Sequence, residues 1–170
     1  AFAKKGAKIV INSHEPNNGA LEKLSKITEC YFIQSDLSTI DGAKKLIQET
    51  KNKLGKIDTL INNAGTFQDT DFENINSETF NKTFNLNVRG YMFVSQEFVK
   101  TLSPDQNNSS IICIGSSNSL AAEKNSVMYD SSKGAVLMMI KSMAVSLADK
   151  NIRVNGIGPG ILETPLTRDG

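Results

Sequence analysis

Y129-D-S-S-K133 stands near the start of a long apolar stretch, 126–149, and the reading of that stretch decides the fold. Residues i and i+4 project from one face of a helix, so Tyr129 and Lys133 share a face. The same stripe continues through Val136, Leu137, Ile140, Ala144 and Leu147. This 3.6-residue period predicts an amphipathic helix over about 126–149 with its stripe buried. A phenol and an ammonium on a buried stripe cost free energy unless they are used. Unit charges ~5 Å apart at an effective dielectric of ~20 interact by roughly 3 kcal/mol, so the ammonium favours a phenolate one turn away. The first helical turn adds the macrodipole in the same sense. A tyrosine held this way can give or take a proton at a substrate oxygen. A Tyr-x-x-x-Lys pair also arises by chance, as a structural Tyr beside a snorkelling Lys, so its neighbours decide its meaning.

Working outward, helical and strand-like segments alternate along the chain, the pattern of a parallel sheet flanked by helices. A helix end at 1–5 stops at Gly6, and A7-K-I-V-I11 reads as a strand. A helix is predicted over 17–27, then the strand C30-Y-F-I-Q34, then an amphipathic helix over 41–54 stopped by Gly55. D58-T-L-I61 is a short buried strand entering the turn N62-N-A-G65, and a single long helix is expected over 77–102. I111-I-C-I-G115 and I152-R-V-N-G-I157 complete the strands, and the segment 158–170 reads as loop. On the long helix Phe80, Phe84, Tyr91, Val94 and Phe98 keep helical spacing, and Asn87 falls within that stripe. A buried amide needs hydrogen-bond partners or costs a few kcal/mol. Ser116 directly follows a strand, at the carboxyl edge where ligands bind in such sheets. Each alone also has a structural explanation: a satisfied core Asn, an ordinary Asn/Gly turn, a serine after a strand.

Composition bounds the function. The chain has 170 residues, 39% of them hydrophobic, and a formal charge of +1, which suits one globular domain with a real core. That balance gives no electrostatic case for nucleic acid or an anionic membrane surface. No apolar run is long enough to span a bilayer, and the first residues lack the layout of a signal peptide. Cys30 and Cys113 sit in apolar strand-like runs and read as buried free thiols, which fits a reducing, cytoplasmic compartment. His14 is the one histidine, so His-based triads and multi-histidine metal sites are excluded and no metal is expected.

Taken together, N62-N-A-G65, N87-V-R-G90, Ser116, the Tyr129/Lys133 pair and G158-P-G-I-L-E-T164, in this order and spacing, resemble the short-chain dehydrogenase/reductase family, single-domain type. The resemblance runs across nearly the whole chain, and five ordered motifs are far more specific than any one of them. It implies a Rossmann-like, doubly wound parallel sheet in a three-layer α/β/α arrangement. It implies hydride transfer between a nicotinamide and a carbonyl or alcohol carbon of a small molecule. Tyr129 would be the general acid/base, with Lys133 favouring its anion and hydrogen-bonding the nicotinamide ribose. Ser116 would hold the substrate oxygen, and Asn87 would support a water-linked proton path through Lys133. The adjacent Ser117 competes with Ser116, but the thirteen-residue interval to Tyr129 and the preceding Gly115 favour Ser116. Asn62, Ala64 and Gly65 would line the adenosine side of the cofactor, with Asp36 and Leu37 near the adenine. Pro159, Gly160 and Thr164 would embrace the nicotinamide. In this family an acid at the end of the second strand selects NAD and an Arg nearby favours NADP. Here the strand ends Asn12-Ser13-His14-Glu15, and Ser13 and His14 could donate to a 2′-phosphate, a slight lean to NADP within NAD(P) use. Members commonly assemble as homo-oligomers, dimers or tetramers, through the two long helices.

Two features depart from the family. The chain opens on a helix end and contains no glycine-rich strand-to-helix turn, the element that receives a pyrophosphate. It also stops after the nicotinamide loop, before the segments that would cover a substrate. The expectation is therefore a partial dinucleotide-binding domain over 1–170, lacking the first strand and the C-terminal segment. The strands at 8–11 and 58–61 would then have lost their shared neighbour. A non-catalytic nucleotide-binding relative, and an epimerase or dehydratase of the extended branch, are the alternatives. The intact Ser116, Tyr129, Lys133 and Asn87 set argues against the first, and N62-N-A-G65 against the second. Substrate identity does not follow.

Overall fold

The computed structural model describes residues 1–17, 19–103 and 105–162. Its strands are β1 (Ile9–Ser13), β2 (Cys30–Gln34), β3 (Thr59–Asn62), β4 (Ser110–Ile114) and β5 (Arg153–Ile157). The α-helices are α1 (Ala20–Ser25), α2 (Ile40–Leu54), α3 (Ser77–Phe84), α4 (Tyr91–Thr101) and α5 (Val127–Ser146). All strand pairs are parallel. They form two sheets, β1–β2 and β3–β4–β5, and among the described residues no ladder joins β1 to β3. This is the divided Rossmann-like sheet the sequence predicts, with the break where a shared neighbour of those two strands would lie.

The register explains the core. Leu60, Ile111 and Val154 stand side by side across β3, β4 and β5, and side chains alternate faces along a strand, so these three share one face. All three are buried, with Val94 and Phe98 of α4 and Val136 and Met139 of α5 in the same cluster. The opposite face carries Ile61 and Ile157, 43% and 54% exposed. Ile33, Ala43, Leu46 and Ile47 extend the cluster to the β1–β2 side.

Helix α2 illustrates how local chemistry sets this packing. Thr39 caps it, its hydroxyl accepting from Gly42 N at 3.0 Å, and Gly55 ends it at φ +77°. Ala43, Leu46, Ile47 and Thr50 form its buried face. A Cβ at Gly42 would lie 1.9 Å from the Asp36 carbonyl oxygen, so only glycine lets the helix start this close to the end of β2.

Four expectations are corrected. The single helix over 77–102 is three segments, because Asn85–Gly90 is a π-helical turn between α3 and α4. A π turn winds the backbone more slowly than an α-helix, so the apolar stripe slips by about one residue across it. The stripe keeps Tyr91, Val94 and Phe98 buried, but in α3 the buried position is Thr83 while Phe80 is 45% exposed. Phe80 instead stacks on Phe84, ring centroids 4.3 Å apart. The helix over 17–27 shrinks to Ala20–Ser25, with no buried residue to extend it. The helix over 126–149 stops at Ser146 and is followed by a 3-10 turn, Ala148–Lys150, closed by Asn151 at φ 55°. Of the two free thiols, Cys113 is buried but Cys30 only partly so, because β2 is an outer strand.

Candidate active site

Tyr129 and Lys133 lie in the first two turns of α5 and face the same space, as their spacing requires. The Lys133 ammonium sits 5.6 Å from the centroid of the Tyr129 ring and 5.7 Å from that of Tyr91. Lys133 is 4% exposed and donates to the carbonyl of Ile114, the last residue of β4, at 2.9 Å. Burial brings its pKa down to about 8, opposed by nearby Cys113. One of its three donors is thus spent on the backbone, leaving the others for hydroxyl groups of a ligand. The Tyr129 ring packs edge-on against Phe67, centroids 5.2 Å apart. Tyr91, also buried, donates to the same Ile114 carbonyl at 3.2 Å, and burial pushes its phenol well up.

Asn87 lies within the π turn and is fully buried. Its Oδ1 accepts from Thr66 N at 2.8 Å, and its Nδ2 donates to Thr66 O and Ser132 Oγ, each at 3.0 Å. The amide therefore locks the turn after β3 to α5 one residue before Lys133. At Gly65 a Cβ would approach Asn87 Oδ1 to 3.3 Å and Lys133 Nζ to 3.8 Å. An exposed glycine beside that ammonium leaves room for a flat ligand to reach the backbone.

Ser116 follows β4 in extended conformation and is partly buried, whereas Ser117 is exposed. The Ser116 hydroxyl accepts from Asn118 N at 3.1 Å and lies 3.4 Å from Asn118 Oδ1. Ser117 N donates to Pro159 O at 2.8 Å, and Gly115 N to Ile157 O at 2.8 Å, which draws the loop after β5 against that after β4. Pro159 is partly buried and Gly160 exposed; Thr164 lies outside the described residues.

The remaining residues of the predicted site are more scattered in role. Ser13 Oγ accepts from Glu15 N at 3.0 Å, and His14 is exposed, 3.9 Å from the Glu15 carboxylate. Asp36 is exposed at the end of β2, and its carboxylate accepts from Ser38 N at 2.9 Å. Leu37 is partly buried and its carbonyl abuts Gly90, where a Cβ would lie 2.8 Å away. Ala64 is partly buried. Asn62 belongs to β3 rather than to the turn, and its amide points into the core, donating to Ser95 Oγ at 2.9 Å and reaching Cys113 Sγ at 3.5 Å. Only its backbone can face a ligand.

Sequence reasoning missed the supporting residues Thr66, Phe67, Asn118, Asp130 and Ser132. Asp130 carried a signal, an acid in the first turn of a predicted helix; the others carried none. Among the described residues no cluster of His, Cys, Asp or Glu could hold a metal, and no helix is long and apolar enough to cross a membrane.

A sequence profile described as short chain dehydrogenase matches residues 1–169. An uncharacterized oxidoreductase of Bacillus subtilis is 34% identical over 98% of this chain and 58% of its own length. A chloroplastic NADPH-dependent aldehyde reductase of Arabidopsis thaliana is 33% identical over 85% of this chain and 49% of its own. The chain thus spans about half the length of these relatives. Among solved structures, a 3-oxoacyl-[acyl-carrier protein] reductase of Brucella melitensis in complex with NAD superposes with a TM-score of 0.92. It is 28% identical, with 98% of this chain and 68% of that one covered.

Proposed function

The chain belongs to the short-chain dehydrogenase family, and on that premise we propose that the protein carrying it is an NAD(P)-dependent oxidoreductase of small-molecule carbonyls and alcohols. The observation that carries the reading is the buried Lys133 ammonium, 5.6 Å from the ring of Tyr129 and bonded to the strand end at Ile114. A nicotinamide cofactor, when bound, supplies or takes the hydride. The residues fit such a group: Gly65 leaves its backbone approachable and Lys133 has donors to spare for a ribose diol.

In the reducing direction Tyr129 would give its proton to the substrate oxygen, and in the oxidising direction it would take that proton back. Lys133, charged, stabilises the resulting phenolate. Ser116 donates a hydrogen bond to the same oxygen and fixes the carbonyl beside Tyr129. Asn87 holds the turn after β3 and α5 in one geometry, so that Lys133 keeps its place. Pro159 and Gly160, joined to the Ser116 loop through Ser117, close the nicotinamide side.

Replacing Tyr129 by Phe in the full-length protein tests this. Turnover should fall by about 10²–10⁴-fold, the usual worth of a general acid, while cofactor binding persists. Turnover within a few-fold of wild type would overturn the assignment. Ser13 and His14 support a preference for NADP, which the name of the Arabidopsis relative also favours; a higher kcat/KM with NADH than with NADPH would reverse it. Exposed apolar side chains on the two long helices, Met92 on α4 with Met138 and Val145 on α5, support a homodimer or homotetramer, and a monomer by light scattering would refute it. The partly buried Cys30, free in an outer strand, supports a reducing, cytoplasmic setting; fractionation of the full-length protein into any other compartment would refute it.

A further inference from the structure

The loop between β4 and α5 leads from Ser116 to the start of the catalytic helix, and the Asp130 carboxylate ties it down at three points. Asp130 Oδ1 accepts from Asn118 Nδ2 at 2.8 Å and from Ser126 Oγ at 2.8 Å, and Oδ2 accepts from Glu123 N at 3.0 Å. These donors lie near the beginning, middle and end of the loop. Asp130 itself sits in the first turn of α5, where a carboxylate also meets the positive end of the helix.

The bond to Asn118 has a directional consequence. An amide offers one oxygen and one NH₂ group. With the NH₂ held by Asp130, the oxygen must point the other way, where it lies 3.4 Å from Ser116 Oγ and 3.3 Å from Ser117 Oγ. In the resting chain the Ser116 hydroxyl lies between Asn118 N, which donates to its lone pair at 3.1 Å, and Asn118 Oδ1, a long 3.4 Å acceptor that a substrate oxygen replaces when Ser116 donates to it. A flipped Asn118 would turn its NH₂ toward Ser116 and leave the serine proton without that acceptor. Resting on the oxidoreductase reading, we propose that Asp130 is a positioning residue that sets the Ser116 hydroxyl through the orientation of Asn118. A charged acceptor is required because three donors converge on it, and charge-assisted bonds are the stronger ones.

The test uses the full-length protein with Asp130→Ala and the isosteric Asp130→Asn, each alone and on an Asn118→Ala background. Displacing one hydrogen-bonding group at the substrate oxygen should lower kcat by about 10–100-fold, with the KM for cofactor within about twofold. On the Asn118→Ala background the same substitution should cost less than about threefold, since a residue acting through a partner loses its effect when that partner is gone. A kcat close to wild type, or an equal loss on both backgrounds, overturns the proposal. Hydrogen exchange supplies a second readout: amides of 117–123 should exchange at least about 10-fold faster in Asp130→Ala while β4 is unchanged. If Asp130→Ala fails to fold, Asp130→Asn carries both measurements. If wild-type protein binds NAD(P) but turns over no carbonyl or alcohol, the oxidoreductase reading falls and exchange alone decides the clamp. Unchanged exchange in 117–123 then overturns it.

Discussion

The β1–β2 sheet and the β3–β4–β5 sheet are written in the same kind of sequence, short apolar strands between helices, yet they are buried to different degrees. No residue of β1 or α1 is buried, and β2 buries only Ile33. In the larger sheet β4 buries Ser110, Ile111 and Cys113, and α4 buries Tyr91, Val94, Ser95 and Phe98. The difference lies in neighbours rather than in apolar content. β4 has a strand on each side and a face covered by α4 and α5, whereas among the described residues β1 and β2 pair only with each other and are joined to the common core mainly through α2. The supports of the proposed site lie where burial is deepest, Lys133, Asn87 and Ser132 all at 4% exposure or less, while Tyr129 and Ser116 are partly buried.

This asymmetry can be broken most forcefully at its deep end. Phe98→Ala should cost about 3–5 kcal/mol, the range for a fully buried aromatic, and Val10→Ala in the half-buried β1 clearly less. Denaturant titrations of both variants would measure the difference, and equal costs would mean the two sheets are equally load-sharing. The cysteines offer a probe in each sheet. Cys30 of β2 is half-buried and Cys113 of β4 is fully buried. Burial raises the pKa of both thiols, so neither is activated. Thiol-reactive dye should label Cys30 at least about 100-fold faster, equivalent to roughly 2.7 kcal/mol of extra opening cost at Cys113. Equal rates would show the sheets opening as one unit.

The contact between the two regions can be tested directly at Gly90. A Cβ there would meet the Leu37 carbonyl at 2.8 Å, so Gly90→Ala should cost about 1–3 kcal/mol in thermal unfolding and loosen the π turn. No loss would mean the segment after β2 yields freely. A further test concerns pH. Between about pH 8 and 10.5 the unfolded chain keeps a proton on Lys133 that the folded chain has released. Stability should therefore rise with pH across that window, by up to roughly 3 kcal/mol, and the penalty is fully present below pH 8. Stability that falls through the same window, against a Lys133→Met control that lacks the titration, would contradict it.

Much of the fold was legible because period and punctuation agree. C30-Y-F-I-Q34 matches β2 to the residue, and Gly55 ends α2 by chemistry that needs no partner, whereas Thr39 and Gly42 show their roles only once the helix start meets Asp36. The juxtaposition of Tyr129 and Lys133 follows from helical spacing alone. The π turn was not legible, since it depends on where Asn87 and Gly90 must sit against Thr66, Ser132 and Leu37, contacts between residues distant in sequence. For the same reason Asn62 was placed in a turn: its partner Ser95 lies 33 residues on. Asp130 was visible as a residue, but its three donors become neighbours only once the loop has closed.

The π turn has one more consequence. Each residue of an α-helix advances the side chains by about 100°, so the slower winding over Asn85–Gly90 acts as a surplus residue built into the rod. Excising any single position there would let the rod relax to uniform winding and swing Asn87 off its hydrogen bonds, even with every side chain of the site left intact. Residue count through this stretch is therefore as binding as residue identity.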